Sequence, residues 1–223
     1  MVSRFAFELI LLALAWAVTI AVRPWRQLRS GRDPGPLLTP MLAAMTTLPL
    51  LWAWSGWSAL PLALRWSGAP LAVMTLGWPL AVPVLTFAGL STMLTSGASV
   101  AQALSTTVWA GLLPATLVLV LGHGVRKAAG PHPVAYMIGR AFLVPMLSLT
   151  ACGFAAAALG PGLHGPTAEL QHMAIALLAM GEASWSCAIV SLLVAYRPQW
   201  LATWSNAMYF GRPARVPTAT RRR

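Results

Sequence analysis

Runs of about twenty apolar residues recur through this chain, and nearly all of its charge is confined to the short stretches between them. A run of that length crosses the hydrocarbon core of a bilayer as a helix, because a helix satisfies its own backbone amides where no water can. A closed β-barrel solves the same problem, but its strands alternate apolar and polar residues, and these runs do not alternate. Composition agrees: 58% of the residues are hydrophobic and 9% charged, against roughly a quarter charged in a soluble domain. The sequence therefore predicts an all-α polytopic membrane bundle.

The net charge of +11 raises nucleic acid as a partner, and the placement of the charges removes it. Arg23, Arg26, Arg29 and Arg32 follow the first apolar run, Arg126 and Lys127 follow a later one, and the last residues are arginine-rich. Cytoplasmic loops of membrane proteins collect basic residues in this way. No basic face with interleaved aromatics is visible. The partners expected are the lipid bilayer and other membrane subunits. Cys152 and Cys187 both lie inside apolar runs and read as small buried residues rather than a disulfide framework. The first run lacks a strongly basic start and a small-residue cleavage site, so it reads as a retained helix, not a signal peptide.

In chain order, spans are expected over residues 5–22, 37–54, 104–122, 134–159 and 171–196. The region 62–94 is ambiguous: one long span, or two short ones broken at Gly77, Trp78 and Pro79. Charge parity favours two. The total is then seven, and the four-arginine loop, Arg126 with Lys127, and the arginine tail share one side. The expectation is a seven-span bundle over residues 1–197, N-terminus outside and C-terminus cytoplasmic. Trp52, Trp54 and Trp57 read as an interfacial belt, and Pro114 as a kink. Residues 198–210 read as an amphipathic helix lying in the interface, anchored by Trp200 and Trp204. Residues 211–223 read as a basic tail without fixed structure, held near anionic headgroups.

Ions at membrane depth are costly, so they usually pair or face a cavity. Arg140 sits about 10 Å from the cytoplasmic end of its span, and Glu182 about 20 Å from the same end of the next. An extended arginine covers most of that offset. Two readings stay open, a charge pair lining a polar pathway and a pair that locks two helices. Glu8 and Arg65 form a second candidate pair near the outer face, or snorkel to the interface. His123, His132, His164 and His172 show no metal-ligand spacing, and the ten methionines read as packing residues. No P-loop, GxSxG, HExxH or pair of intramembrane aspartates is present, so no catalytic residue is assigned and the chain is not expected to be an enzyme. No cofactor is specified by any motif.

Three stretches carry a resemblance: residues 74–81 (MTLGWPLA), residues 132–142 (HPVAYMIGRAF), and Glu182 followed by residues 190–203 (VSLLVAYRPQWLAT). Together they resemble the CbiM-like family, the membrane permease components of energy-coupling-factor cobalt and nickel importers. The resemblance covers roughly residues 62–209. It implies a compact bundle of about seven helices in a bacterial inner membrane, with ATPase and coupling subunits as partners. Metal-transporting members begin Met-His, where this chain has Val2, and carry a ligand histidine where this chain has Arg65. A guanidinium has no lone pair for a metal, so no metal ligand is assigned. The resemblance implies a permease-like component; the alternative is an accessory or assembly subunit of a larger membrane complex that has lost metal binding.

Overall fold

A computed structural model of the chain describes residues 2–30, 33–57, 65–159 and 168–210. The basic tail, His164 with its loop, and residues 58–64 lie outside them. The described residues form a helical bundle. Helix α1 (Val2–Val22) ends where Arg23 turns to a φ of 52° and Pro24 follows. A 3-10 turn (Pro24–Leu28) and two antiparallel two-residue strands, β1 (Arg29–Ser30) and β2 (Asp33–Pro34), lead to α2 (Leu38–Trp57). Next come α3 (Ala69–Leu76), α4 (Trp78–Thr95) and the long α5 (Val100–Ala129). Helices α6 (Ala135–Leu159) and α7 (Ala168–Tyr196) follow, and α8 (Asn206–Tyr209) is a single turn.

Five of these helices are long and apolar enough to cross a membrane: α1, α4, α5, α6 and α7. That is fewer than the seven spans expected. Helix α2 contributes a shorter apolar stretch, Leu38–Ala53, and α3 has eight residues. At about 1.5 Å per residue it is roughly 12 Å long, less than half of a hydrocarbon core. The expected break at Gly77 is present: Gly77 takes a φ of 77° between α3 and α4, and Pro79 opens the second helix without needing an amide partner. The piece before that break is a half-helix.

Contacts fix which helix ends lie together. Ser105, near the start of α5, meets Arg4 and Glu8, near the start of α1. At the opposite end Val125 of α5 lies against Gly139 of α6, and Thr203, beyond α7, meets both Tyr136 of α6 and Met74 of α3. The bundle thus has a Glu8 end and a Trp204 end, with Arg126, Lys127 and Arg197 at the latter. Half of the membrane-length windows of α4 and α5 are buried, against 17% for α1, so α4 and α5 form the centre. Phe7, Ile10, Leu14 and Ile20 of α1 remain exposed, as a lipid-facing helix requires.

Two stretches of π-helix interrupt the regular ladder, Thr107–Leu112 in α5 and Ala135–Leu143 in α6. Such bulges widen a helix and free backbone carbonyls, often at functional sites. Two of the expected interfacial aromatics, Trp52 of the belt and the anchor Trp204, are corrected here, while the side chains of Trp54 and Trp57 lie outside those described. Trp52 is wholly buried and donates through Nε1 to the Ser67 carbonyl at 3.0 Å. Residues 198–210 are not one amphipathic helix but a 3-10 turn (Pro198–Trp200), an irregular link and α8. Trp204 is 6% exposed and stacks on Tyr209 at 4.3 Å, facing the bundle rather than lipid. Trp200 is half-buried, with the Arg197 guanidinium over its ring.

Candidate functional site: a half-helix terminus at mid-depth

Helix α3 begins inside the bundle because residues 67–70 read Ser-Gly-Ala-Pro. Pro70 sits in the first turn, where its missing N–H costs nothing, and Gly68 adopts the left-handed conformation (φ 66°) that a side chain would resist. The approach is also tight: a Cβ on Gly68 would lie 2.2 Å from Leu48 Cδ2. The first turn of any helix leaves backbone N–H groups without intrahelical partners. Here the Ser67 hydroxyl takes the Ala69 N–H, and Glu182 takes the N–H groups of the cap residue Gly68 and of Ser67 before it. Its Oε2 accepts the Ser67 N–H at 2.8 Å and its Oε1 the Gly68 N–H at 2.7 Å.

Glu182 is the middle residue of the 29-residue α7 and is 3% exposed. The half-helix therefore starts at the mid-depth of the bundle. A carboxylate there is stabilised by two charge-assisted hydrogen bonds and by the positive end of a helix dipole. Ser67 is the junction of the arrangement. Its N–H goes to Glu182, its carbonyl to Trp52, and its hydroxyl accepts from the Ala69 N–H and donates to the Ala110 carbonyl. That carbonyl belongs to the π-helical stretch Thr107–Leu112, close before Pro114, which has no N–H to give to the ladder. The other end of α3 is closed by the chain beyond α7. The Ala202 N–H donates to the Thr75 carbonyl at 2.9 Å, and the Thr203 hydroxyl donates to the Met74 carbonyl at 2.9 Å. Tyr136 must then be the donor in its 2.8 Å bond to the Thr203 hydroxyl.

Beside the start of α3 lies a cavity of about 190 Å³ lined by Arg65, Ser67, Trp109, Cys152, Ile175 and Glu182 among others. Arg65 and Glu182 both line this cavity, and Arg65 also donates to the Thr106 hydroxyl. The walls contributed by α6 and α7 are otherwise apolar. The arrangement offers a mostly apolar chamber with a carboxylate and a guanidinium at its polar places.

The two expected pairings are corrected. Glu182 does not pair with Arg140, because the amides of Ser67 and Gly68 occupy its carboxylate. Arg140 lies instead against Gly122, with its Cζ 5.9 Å from the Tyr136 ring centre. Glu8 does not pair with Arg65. It accepts from Arg4 Nε at 3.1 Å, Ser105 Oγ at 3.0 Å and Trp109 Nε1 at 2.8 Å, and is 2% exposed. The Arg4 to Glu8 spacing of four residues is a helix-neighbour signal that sequence reasoning passed over. The absence of an Arg140–Glu182 pair predicts additive losses: in a double-mutant cycle of Arg140→Leu and Glu182→Leu, the coupling should stay within about 0.5 kcal/mol. Denaturation in mixed micelles measures it, and a coupling above about 2 kcal/mol would restore the pair.

His123, His132 and His172 are exposed and scattered. Among the described residues no three His, Cys, Asp or Glu side chains are grouped to hold a metal ion. No family model, curated protein or solved structure matches this chain. The site therefore rests on its own geometry.

Proposed function

We propose that this chain is the membrane-embedded, permease-like component of an energy-coupling-factor type transporter in a bacterial inner membrane. The observation that carries the reading is the half-helix starting at mid-depth beside a cavity. Discontinuous helices whose termini meet a chamber near the bilayer midplane are a recurring way to build a solute site in transporters. In this reading the chain passes the membrane seven times, N-terminus outside and C-terminus cytoplasmic. The gathering of Arg126, Lys127 and Arg197 at the Trp204 end supports that orientation. ATPase and coupling subunits would come from other chains.

The alternative, an accessory subunit without a transported solute, is favoured by one specific observation. Arg65 lines the cavity at the position where the resemblance implies a ligand histidine, and a guanidinium repels and cannot ligate a cation. Purification from membranes in mild detergent, with mass spectrometry of the proteins that accompany the chain, tests the reading. Stoichiometric ATPase subunits are the expected result. Co-purification with a membrane complex that contains no ATPase would favour the accessory role. Cysteine labelling from each side should place positions near Lys127 in the cytoplasm.

A further inference from the structure

Arg140 is a buried ion with no counter-charge among the described residues. Its side chain is 8% exposed, its Nε is sealed from solvent with no hydrogen-bond partner, and no ion pair among the described residues reaches it. The ring of Tyr136, one turn back along α6, is its described electrostatic contact, and that ring is itself held by Trp204 and Tyr209. The chain has four acidic residues. Glu8 and Glu182 are engaged elsewhere, and the side chains of Asp33 and Glu169 lie outside those described. A desolvated guanidinium is costly without a counter-charge; none of the described side chains supplies one, and an anion from outside the chain can.

The surroundings say which anion. Arg140 is six residues into α6, roughly 8 Å from its start, and its guanidinium reaches back over Tyr136 toward the Trp204 end. It lies in the seam between α5 and α6, where Gly122 makes room: a Cβ there would sit 3.1 Å from Nε. On α5 and α6 toward this end Leu119, Val120, Val134 and Ile138 are exposed apolar residues. About one turn beyond Gly122 on α5, Arg126 and Lys127 are exposed cations. Exposed apolar surface on these helices next to exposed cations suits an acyl chain next to an acidic headgroup. We propose that the seam between α5 and α6 binds an anionic phospholipid, with Arg140 as the buried contact to its phosphate and Arg126 and Lys127 as outer contacts. The assignment requires that the chain spans a membrane, not that it transports anything.

The test uses the full chain purified in mild detergent and titrated with phosphatidylglycerol, followed by native mass spectrometry and thermal unfolding. Wild type should bind phosphatidylglycerol in preference to phosphatidylcholine. Arg140→Gln should weaken that binding roughly tenfold, the loss of one charge-assisted contact, and Arg140→Lys should restore part of it. Gly122→Ala, which keeps the charge but crowds Nε, should weaken it as well and carries the test if Arg140→Gln does not fold. Equal affinity of wild type and Gly122→Ala, with Arg140→Gln unfolded or unchanged, would overturn the assignment. So would equal binding of phosphatidylcholine, or stabilisation by inorganic phosphate alone as large as that by the lipid. Loss of a stoichiometric protein partner in Arg140→Gln, with lipid binding intact, would overturn it in favour of a partner's carboxylate.

Discussion

Glu182→Ala is expected to destabilise the bundle by about 3–5 kcal/mol, the range for leaving hydrogen-bonding groups of a buried charged network unpartnered. The Ser67 and Gly68 N–H groups lose their acceptor at a depth where the surroundings of α7 are apolar. The carboxylate that caps the start of α3 is lost. Glu182→Gln keeps one carbonyl oxygen but sets an NH2 against the second amide, so its loss should be smaller, about 2 kcal/mol. Tryptophan fluorescence during denaturation in mixed micelles reads both, and Trp52, bonded to Ser67, reports on the same junction. An alanine variant as stable as wild type would mean that the two amides find other acceptors and that the carboxylate is not what holds the half-helix.

Gly68→Ala is the second large effect. A left-handed backbone costs a residue with a Cβ about 1–2 kcal/mol, and forcing a methyl against Leu48 adds about 1–3 kcal/mol. The two contributions separate experimentally. In a Leu48→Ala background the contact at 2.2 Å is relieved while the φ of 66° remains. Gly68→Ala should then cost about 1–2 kcal/mol beyond Leu48→Ala alone. If Gly68→Ala is tolerated equally well with and without Leu48, the start of α3 has moved and the amides no longer aim at Glu182.

These effects show how non-local the half-helix is. Eight residues cannot hold a helix by propensity. Helix α3 forms because its first amides are taken by the middle of α7, its last carbonyls by the chain after α7, and its body is enclosed by the rest of the bundle. Both of its terminal partners come from one contiguous region, residues 182–203, so α7 and the segment that closes over its end are both needed to complete α3.

Part of this is legible in the residues themselves. Ser67, Gly68 and Pro70 form a helix-start signal, which weighs less than the Gly77 break because an apolar run of ordinary length surrounds both. Arg4 and Glu8 are neighbours on one helical face, a pairing that local spacing reveals. The true partners of Glu182 carry no charge, and a search for opposite charges cannot find them: backbone amides are identical at every residue and leave no mark in composition. Trp204 reads as a lipid anchor because aromatic spacing after a last span looks the same whether the rings face lipid or Tyr136.

That the chain is helical and apolar enough for a bilayer follows from its residues alone, since unpaired backbone in hydrocarbon leaves few alternatives. It also marked the breaks, because Gly and Pro act on the backbone locally. Tertiary structure alone decided what each ion touches. Arg140 went to a glycine seam and Glu182 to a helix terminus, because a buried charge takes the best hydrogen-bonding geometry within reach, and reach depends on how distant helices are stacked.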